Sequence, residues 1–384
     1  MRGQSPTDSV GEAAAVQPRL LCVVGARPNF VKMAPVTRSL EAGRKVRCSL
    51  LHTGQHYDEQ LSGWFLERLG LPEPDFFLGV GSGSHAQQTA AVLIGTEEVL
   101  EEHPFNAVLV AGDVNSTLAA ALAAAKLHVP VFHLEAGLRS GDWSMPEEVN
   151  RVLTDRLSDL LLCTSEDAVE NLAGEGIAGE HVAVVGNTMI DSLFRLESAA
   201  SDREAAEHLG LPDGGFVLVT LHRPALVDDD DLLRATLSAL DSLTDRWPVV
   251  FPVHPRTRAR LKSAGFEPAG VRLLEPLDYL DFVSLMRQAG LVITDSGGVQ
   301  EETTALGVPC LTYRKTTERP ITVQAGTNEV VGVDPRVLRA ASEARLTGDL
   351  SDSRPQVPLW DGGAGDRAAV AITRFLNGRQ RSAR

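Results

Sequence analysis

Short apolar runs rich in branched residues recur along the chain, each followed by a longer stretch in which apolar residues return every three or four positions. "LLCVVGA" precedes 28–42, "AVLVAG" precedes 116–127, "VPVFHLE" precedes 146–157 and "DLLLCTS" precedes 165–174. The longer stretches have the period of amphipathic helices, and the short runs read as strands covered on both faces. Their alternation predicts βαβ units and a parallel sheet. After "VAVVGNTMIDSL" and a charged helical stretch the rhythm restarts with "FVLVTL", "PVVFPV", "VRLL", "GLVIT", "VPCLT" and "EVVGV". The pattern therefore predicts two doubly wound α/β domains, over 19–190 and 191–365, joined near 190–214. Residues 1–18, rich in Ser, Ala and Gly, are expected to form a disordered extension. "AGDRAAVAITRFL" predicts an amphipathic helix that closes the C-terminus, with 366–384 as helix and tail.

Length agrees with this division, because 384 residues exceed one small core and suit two domains with a cleft between them. The net charge of -15 and pI near 5.1 argue against a general nucleic-acid or anionic-membrane binder, which needs a basic face. An anionic ligand would have to be held by local groups. Cys22, Cys48, Cys163 and Cys310 lie far apart and read as thiols of a reducing cytoplasm. No apolar run is long enough to span a bilayer, and the first residues lack the basic start and apolar middle of a signal peptide. No His, Cys and Asp spacing suggests a metal site, and no nicotinamide fingerprint follows the first strand, so neither metal nor cofactor is expected.

In open parallel sheets ligands bind beyond the carboxyl ends of the strands. The residues there are unusually polar: Arg27 and Lys32 after the first run, Gln55 and His56 after "SLLHT", Asp113 after "VLVAG" and Glu135 after "VFHL". In the second half come His222 and Arg223, His254, Asp295 to Gly298, and the stretch from Arg314 to Arg319. Both halves are expected to aim polar groups at one cleft.

"VITDSGGVQEE" reads as strand, small-residue turn and helix start, where Ser296, Gly297 and Gly298 could offer backbone N–H groups and a positive helix end to a phosphate. The plainer alternative is an N-capped helix. Asp113 is either a general acid–base group or the cap of the helix that begins near Asn115 or Ser116. Glu135, directly after an apolar strand, is partly desolvated in a way that suits proton transfer, while Arg139 or Arg151 could hold a neighbour ionised. Glu147 follows Pro146 at a helix start, where acids are also favoured by the dipole. "GVGSGSHA" follows a Pro-containing loop and no clear strand, which speaks against a dinucleotide fingerprint.

Together these motifs resemble the non-hydrolysing UDP-N-acetylglucosamine 2-epimerase family. The likeness runs from about residue 20 to about 375, and its motifs include "GARPNFVKMAP", "TGQHYD", "GDVNSTLAA", "HLEAGLRSGDWSMPEEVNR", "LHRP", "PVHPRTR", "TDSGGVQEE" and "TERPITVQAGTN". The resemblance implies a glycosyltransferase-B-type fold of two Rossmann-like domains with the active site in the interdomain cleft. It implies interconversion of UDP-GlcNAc and UDP-ManNAc by elimination of UDP and re-addition, and a cytoplasmic homodimer. Asp113, Glu135 and Glu147 match the catalytic acids and His222 a histidine needed for activity. Arg27, Lys32, His254, Ser296, Gly297, Gly298, Glu302 and Arg319 match substrate-binding positions, with the Ser-Gly-Gly turn on the diphosphate and Glu302 on the ribose; Gln55, Arg139 and Arg151 join them as candidates. One departure is Pro224, Ala225 and Leu226, where relatives carry polar residues after the His-Arg pair. It is expected to remove polar side chains near the cleft. A hydrolysing epimerase that releases ManNAc, an epimerase for a related UDP-sugar and a UDP-sugar glycosyltransferase stand as alternatives. Intact Asp113, Glu135 and Glu147 speak against a catalytically silent nucleotide-sugar binder.

Overall fold

A computed structural model describes residues 17–55, 68–263, 265–348 and 355–382, with the backbone alone for Arg27, Arg256 and 380–382. His56 and the expected N-terminal extension up to residue 16 lie outside the described residues. Among the described residues, thirteen strands form two sheets. The first contains β1 (Arg19–Val24), β2 (Arg47–His52), β3 (Phe76–Phe77), β4 (Ala107–Ala111), β5 (Val131–Ala136), β6 (Leu160–Cys163) and β7 (Val182–Val184), in the order β3-β2-β1-β4-β5-β6-β7. The second contains β8 (Val217–Thr220), β9 (Val249–Pro252), β10 (Arg272–Leu274), β11 (Leu291–Thr294), β12 (Cys310–Thr312) and β13 (Asn328–Val330), in the order β10-β9-β8-β11-β12-β13. The strand pairs are parallel.

This is the predicted pair of doubly wound sheets, and the apolar runs form strands because helices cover both faces. The inner strands β4, β6 and β11 are buried along their whole length. Strand order reverses between β1 and β4 in one sheet and between β8 and β11 in the other, and each reversal opens a crevice at the carboxyl ends. The strand β3, placed by the sequence in a loop, has two residues and pairs with β2 at Leu51 and His52. The glycine cluster after it leads into the helix His85–Glu102, capped by Ser84 through Gln87 N. Cys22, Cys163 and Cys310 are buried free thiols and Cys48 is half-buried.

The C-terminal helix Ala364–Ser382 does not stay with the second sheet. It packs on the helices Arg27–Ala42 and Thr188–Ser201, and Phe375 meets Phe132 of β5 edge-on with ring centroids 5.0 Å apart. Its first N–H groups, those of Ala364 and Gly365, donate to Asp191 at 3.2 and 2.7 Å, which satisfies donors that have no partner within the helix. Gly365 is where the helices touch: a Cβ there would lie 2.7 Å from the backbone of Pro35.

Candidate active site

Asp113, Glu135, Lys32 and Arg151 meet beyond β1, β4 and β5. Glu135 is buried and accepts from Lys32 Nζ and, at 2.8 Å, from Arg319 Nη2. Its φ of +70° and the register break between Leu134 and Ala136 make it a bulge at the strand end. A non-glycine residue in this left-handed region costs on the order of 1 kcal/mol, and such bulges re-aim a side chain. Asp113 is half-buried and does not cap the following helix, whose N-cap is Val114 without a side-chain bond. It takes Arg151 Nε at 3.0 Å and Nη2 at 2.7 Å. Burial works against its charge, but Arg151, Lys32 and Arg319 hold its carboxyl below the ordinary aspartate range. The capping role falls instead to Gln55, whose Oε1 accepts from Ser116 N at 3.1 Å and Ser116 Oγ at 2.7 Å.

The helix Pro146–Leu157 turns Glu148, Arg151 and Asp155 toward the protein and carries Glu147 at its start. Glu147 is partly exposed, in the electrostatic reach of His222 and Arg223 of the second half. Glu148 is buried against Ser140 N, Gly141 N and Arg151 Nη1, the last at 2.6 Å. Arg151 therefore does what the sequence suggested for one of two arginines. Arg139 does not join it: its guanidinium is turned to Asp155 at 2.7 Å and Glu175 at 2.7 Å, beside β6 and away from the Lys32–Glu135–Arg319 group. Arg139, expected from the sequence among the substrate-binding candidates, is here paired with protein carboxylates.

From the second half, Arg319 reaches across to Glu135. It is buried among three carboxylates, with Glu318 Oε1 at 2.5 Å and Glu301 Oε2 at 2.9 Å beside Glu135. The contact with Glu301 lacks hydrogen-bond alignment. Burial, only partly offset by Arg319, pushes the Glu301 carboxyl up to about 7. Glu318 behaves oppositely: Arg319, Arg314 and Arg151 overcome its burial and hold it far below the ordinary range. The resemblance implies a substrate-binding position for Arg319, and here its polar atoms are turned to protein carboxylates.

The helix Gly297–Leu306 begins at this group. Ser296 stands at its N-cap without a side-chain capping bond, so the capped-helix alternative fails, and the hydroxyl is not used on the helix. A Cβ on Gly297 would lie 2.4 Å from Arg319 Nη1 and 2.5 Å from Glu318 Oε1. The glycine is needed first for these side chains. Glu302, one turn on, is buried and accepts from Tyr279 Oη at 2.7 Å. Asp295 just before the turn accepts from the backbone N–H of His222 and of Arg223, both at 2.8 Å, and lies 3.0 Å from His222 Nδ1. Burial lowers the His222 pKa, but Asp295 outweighs it and raises it. His254 follows β9 on the exposed rim. Arg27 opens the helix Arg27–Ala42, and its side chain is not among those described.

The family model described as UDP-N-acetylglucosamine 2-epimerase matches residues 38–373. This chain belongs to that family. A UDP-2,3-diacetamido-2,3-dideoxy-D-glucuronate 2-epimerase from Pseudomonas aeruginosa is 40% identical over 93% of this chain and 99% of the relative. The UDP-N-acetylglucosamine 2-epimerase of Methanocaldococcus jannaschii is 39% identical over 92% of this chain and 99% of its own length. A crystal structure of the Methanocaldococcus jannaschii UDP-GlcNAc 2-epimerase in complex with UDP-GlcNAc and UDP superposes with a TM-score of 0.84, covering 94% of this chain and 99% of that one at 38% identity. The Pro224 to Leu226 departure of this epimerase forms the start of a short helix, Pro224–Val227. Leu226 points into the core of the second sheet, while Pro224 and Ala225 are exposed.

Sequence reading overlooked His133, Asp155, Glu148, Glu301 and Glu318 as members of the site. A signal for part of this set was present, because Glu148, Arg151 and Asp155 are spaced three and four apart and so share one helix face. Among the described residues no helix is long and apolar enough to cross a membrane.

Proposed function

We propose that this epimerase interconverts UDP-GlcNAc and UDP-ManNAc by elimination and re-addition of UDP, using Asp113, Glu135 and Glu147 as its acids and bases. The observation that carries the reading is the single guanidinium, Arg319, between the Glu135 carboxylate and the start of the helix Gly297–Leu306. Proton-handling groups thereby stand beside a helix end suited to a diphosphate. Carbon 2 of the sugar has no carbonyl neighbour, so its proton is not acidic in the ground state. Breaking the anomeric C–O bond sends the electron pair to the UDP oxygen and gives carbon 1 oxocarbenium character. A carboxylate then removes the carbon-2 proton, leaving 2-acetamidoglucal and bound UDP. Protonation of carbon 2 from the opposite face and return of UDP to carbon 1 give the epimer. Cations around the diphosphate stabilise the leaving group. Asp113, kept ionised by Arg151, is in the form that accepts a proton.

The test follows hydrogen and oxygen separately. Incubation with UDP-GlcNAc in deuterated water should give UDP-ManNAc with deuterium at carbon 2, without added NAD. An isotopic label in the anomeric bridging oxygen should scramble into the β-phosphate. A bridging label intact after many turnovers would exclude the elimination route, and free ManNAc would mark a hydrolase.

A second reading, an epimerase for a related UDP-sugar, is favoured by the similarity to the diacetamido-glucuronate enzyme and by the absence of polar side chains at Pro224 to Leu226. Rates on a panel of neutral and carboxylated UDP-sugars distinguish the two.

A further inference from the structure

Beneath the carboxylates lies a pair that the chemistry does not use. His133 and Asp155 are both buried, with no side-chain exposure. His133 Nδ1 stands 2.6 Å from Asp155 Oδ1, and Nε2 stands 2.9 Å from the carbonyl oxygen of Gly112. A carbonyl only accepts, so Nε2 donates there. Asp155 has a second oxygen, Oδ2, which accepts from Gly137 N at 3.0 Å and pairs with Arg139 Nη1 at 2.7 Å.

Those partners surround the two strand ends of the site. Gly112 is the residue before Asp113. His133 lies two residues before Glu135, Gly137 two after it and Arg139 four after it. One carboxylate therefore grips the chain on both sides of the Glu135 bulge, and the imidazole extends the grip to β4. The gripped backbone is also left-handed: Gly112, Glu135 and Gly137 have φ of +67°, +70° and +82°, and of these only Glu135 carries the Cβ that makes the conformation strained. A strained conformation such as that of Glu135 persists only where its surroundings over-determine it. Gly137 also has no room for a side chain, since a Cβ would come 2.4 Å from the Ala168 carbonyl oxygen.

We infer that the His133–Asp155 pair is the positioning element of the site, fixing the ends of β4 and β5 and hence where the Asp113 and Glu135 carboxylates stand. Neither residue is placed to touch the sugar. The inference rests on the proposed function in taking Asp113 and Glu135 as the groups to be positioned. Misplacement of a reacting group by about 1 Å costs on the order of a hundredfold in rate, so loss of the clasp should appear in kcat. UDP affinity, carried mainly by the second half, should be spared.

The decisive experiment compares Asp155→Asn, His133→Leu and His133→Gln with the wild type for kcat, KM, UDP affinity and ring-proton NMR. Asp155→Asn and His133→Leu should lower kcat by about ten- to a hundredfold, with KM and UDP affinity within about twofold. His133→Gln, whose amide can still donate to the Gly112 carbonyl, should recover part of that loss. In the ligand-free wild type, ring N–H protons of His133 should appear as downfield resonances protected from exchange with water. They should vanish in His133→Leu, and one should move upfield in Asp155→Asn. Near-normal kcat in folded Asp155→Asn, or an equal loss of UDP affinity, would overturn the inference. If His133→Leu does not fold, the other two variants decide. A wild-type chain inactive on UDP-GlcNAc would count against the proposed function alone, because the resonances are read without substrate, and their absence would sink the clasp by itself.

Discussion

The acids of the site are held to very different degrees, and substitution should separate chemistry from support. Glu147 stands at a helix start without an ion pair among the described residues, whereas Glu135 lies between Lys32 and Arg319. Glu147→Gln should lower turnover about 10²–10⁴-fold with stability and UDP affinity nearly unchanged. Near-normal turnover would remove Glu147 from the mechanism. Glu135→Gln should lose turnover and also about 3–5 kcal/mol of stability in urea unfolding, because buried Lys32 loses its carboxylate partner and Arg319 loses one of three. Arg319→Ala should resemble it, taking one shared cation from Glu135, Glu301 and Glu318, so UDP titration of that variant is read below its unfolding temperature. Glu301 supplies a pH dependence. Its folded pKa of about 7 lies above that of the unfolded carboxyl, so the stability it contributes is fully present below the unfolded value and is lost as pH rises through about 7. The urea midpoint should therefore fall between about pH 4.5 and about pH 7 and level off above that, and Glu301→Gln should flatten the fall; an identical slope in the variant would assign the titration elsewhere.

Contacts between elements depend on space as much as on charge. At Gly365 the C-terminal helix passes over Pro35 of the helix Arg27–Ala42, and the obstacle a Cβ would meet is backbone. Backbone cannot rotate away, so Gly365→Ala should cost about 1–3 kcal/mol by overpacking. Denaturant unfolding measures this, and a neutral result would mean that the helices separate easily. The elements themselves were legible wherever an apolar run had its full length, as for "AVLVAG" or "LVIT" followed by a helical period. The strand β3 escaped because two residues carry no period, and its place is set by pairing with β2. Within the site, residue types at strand ends were legible, but partners were not. Asp113 and Arg151 lie 38 positions apart and Glu135 and Arg319 lie 184 apart, separations at which only the folded chain shows who meets whom. The same gap explains why Arg139 and Arg151 could not be told apart, and why Gln55, a natural ligand candidate, proved to be a helix cap.

At the scale of the whole molecule, a net charge of -15 surrounds a site in which Lys32, Arg151, Arg314 and Arg319 are each paired with protein carboxylates. The long-range field of that net charge repels a nucleoside diphosphate. Salt screens exposed, distant charges far more than buried pairs. The association rate of UDP in stopped flow should therefore rise with ionic strength between about 10 and 150 mM, opposite to electrostatic steering; a falling rate would show that the cleft's local field already dominates at a distance. The helix Ala364–Ser382 has a consequence for how the protein is made. It covers the helix Arg27–Ala42 and meets Phe132, so the earliest part of the chain is finished by the latest. Domains usually fold in order as a ribosome releases them, at roughly 5–20 residues per second. Here β5 leaves the ribosome on the order of ten seconds or more before its cover does. Until the last helix arrives, Phe132 and the outer side of the helix Arg27–Ala42 lack their cover, so a stall in translation before residue 364 should lengthen the time in which that patch can misassemble.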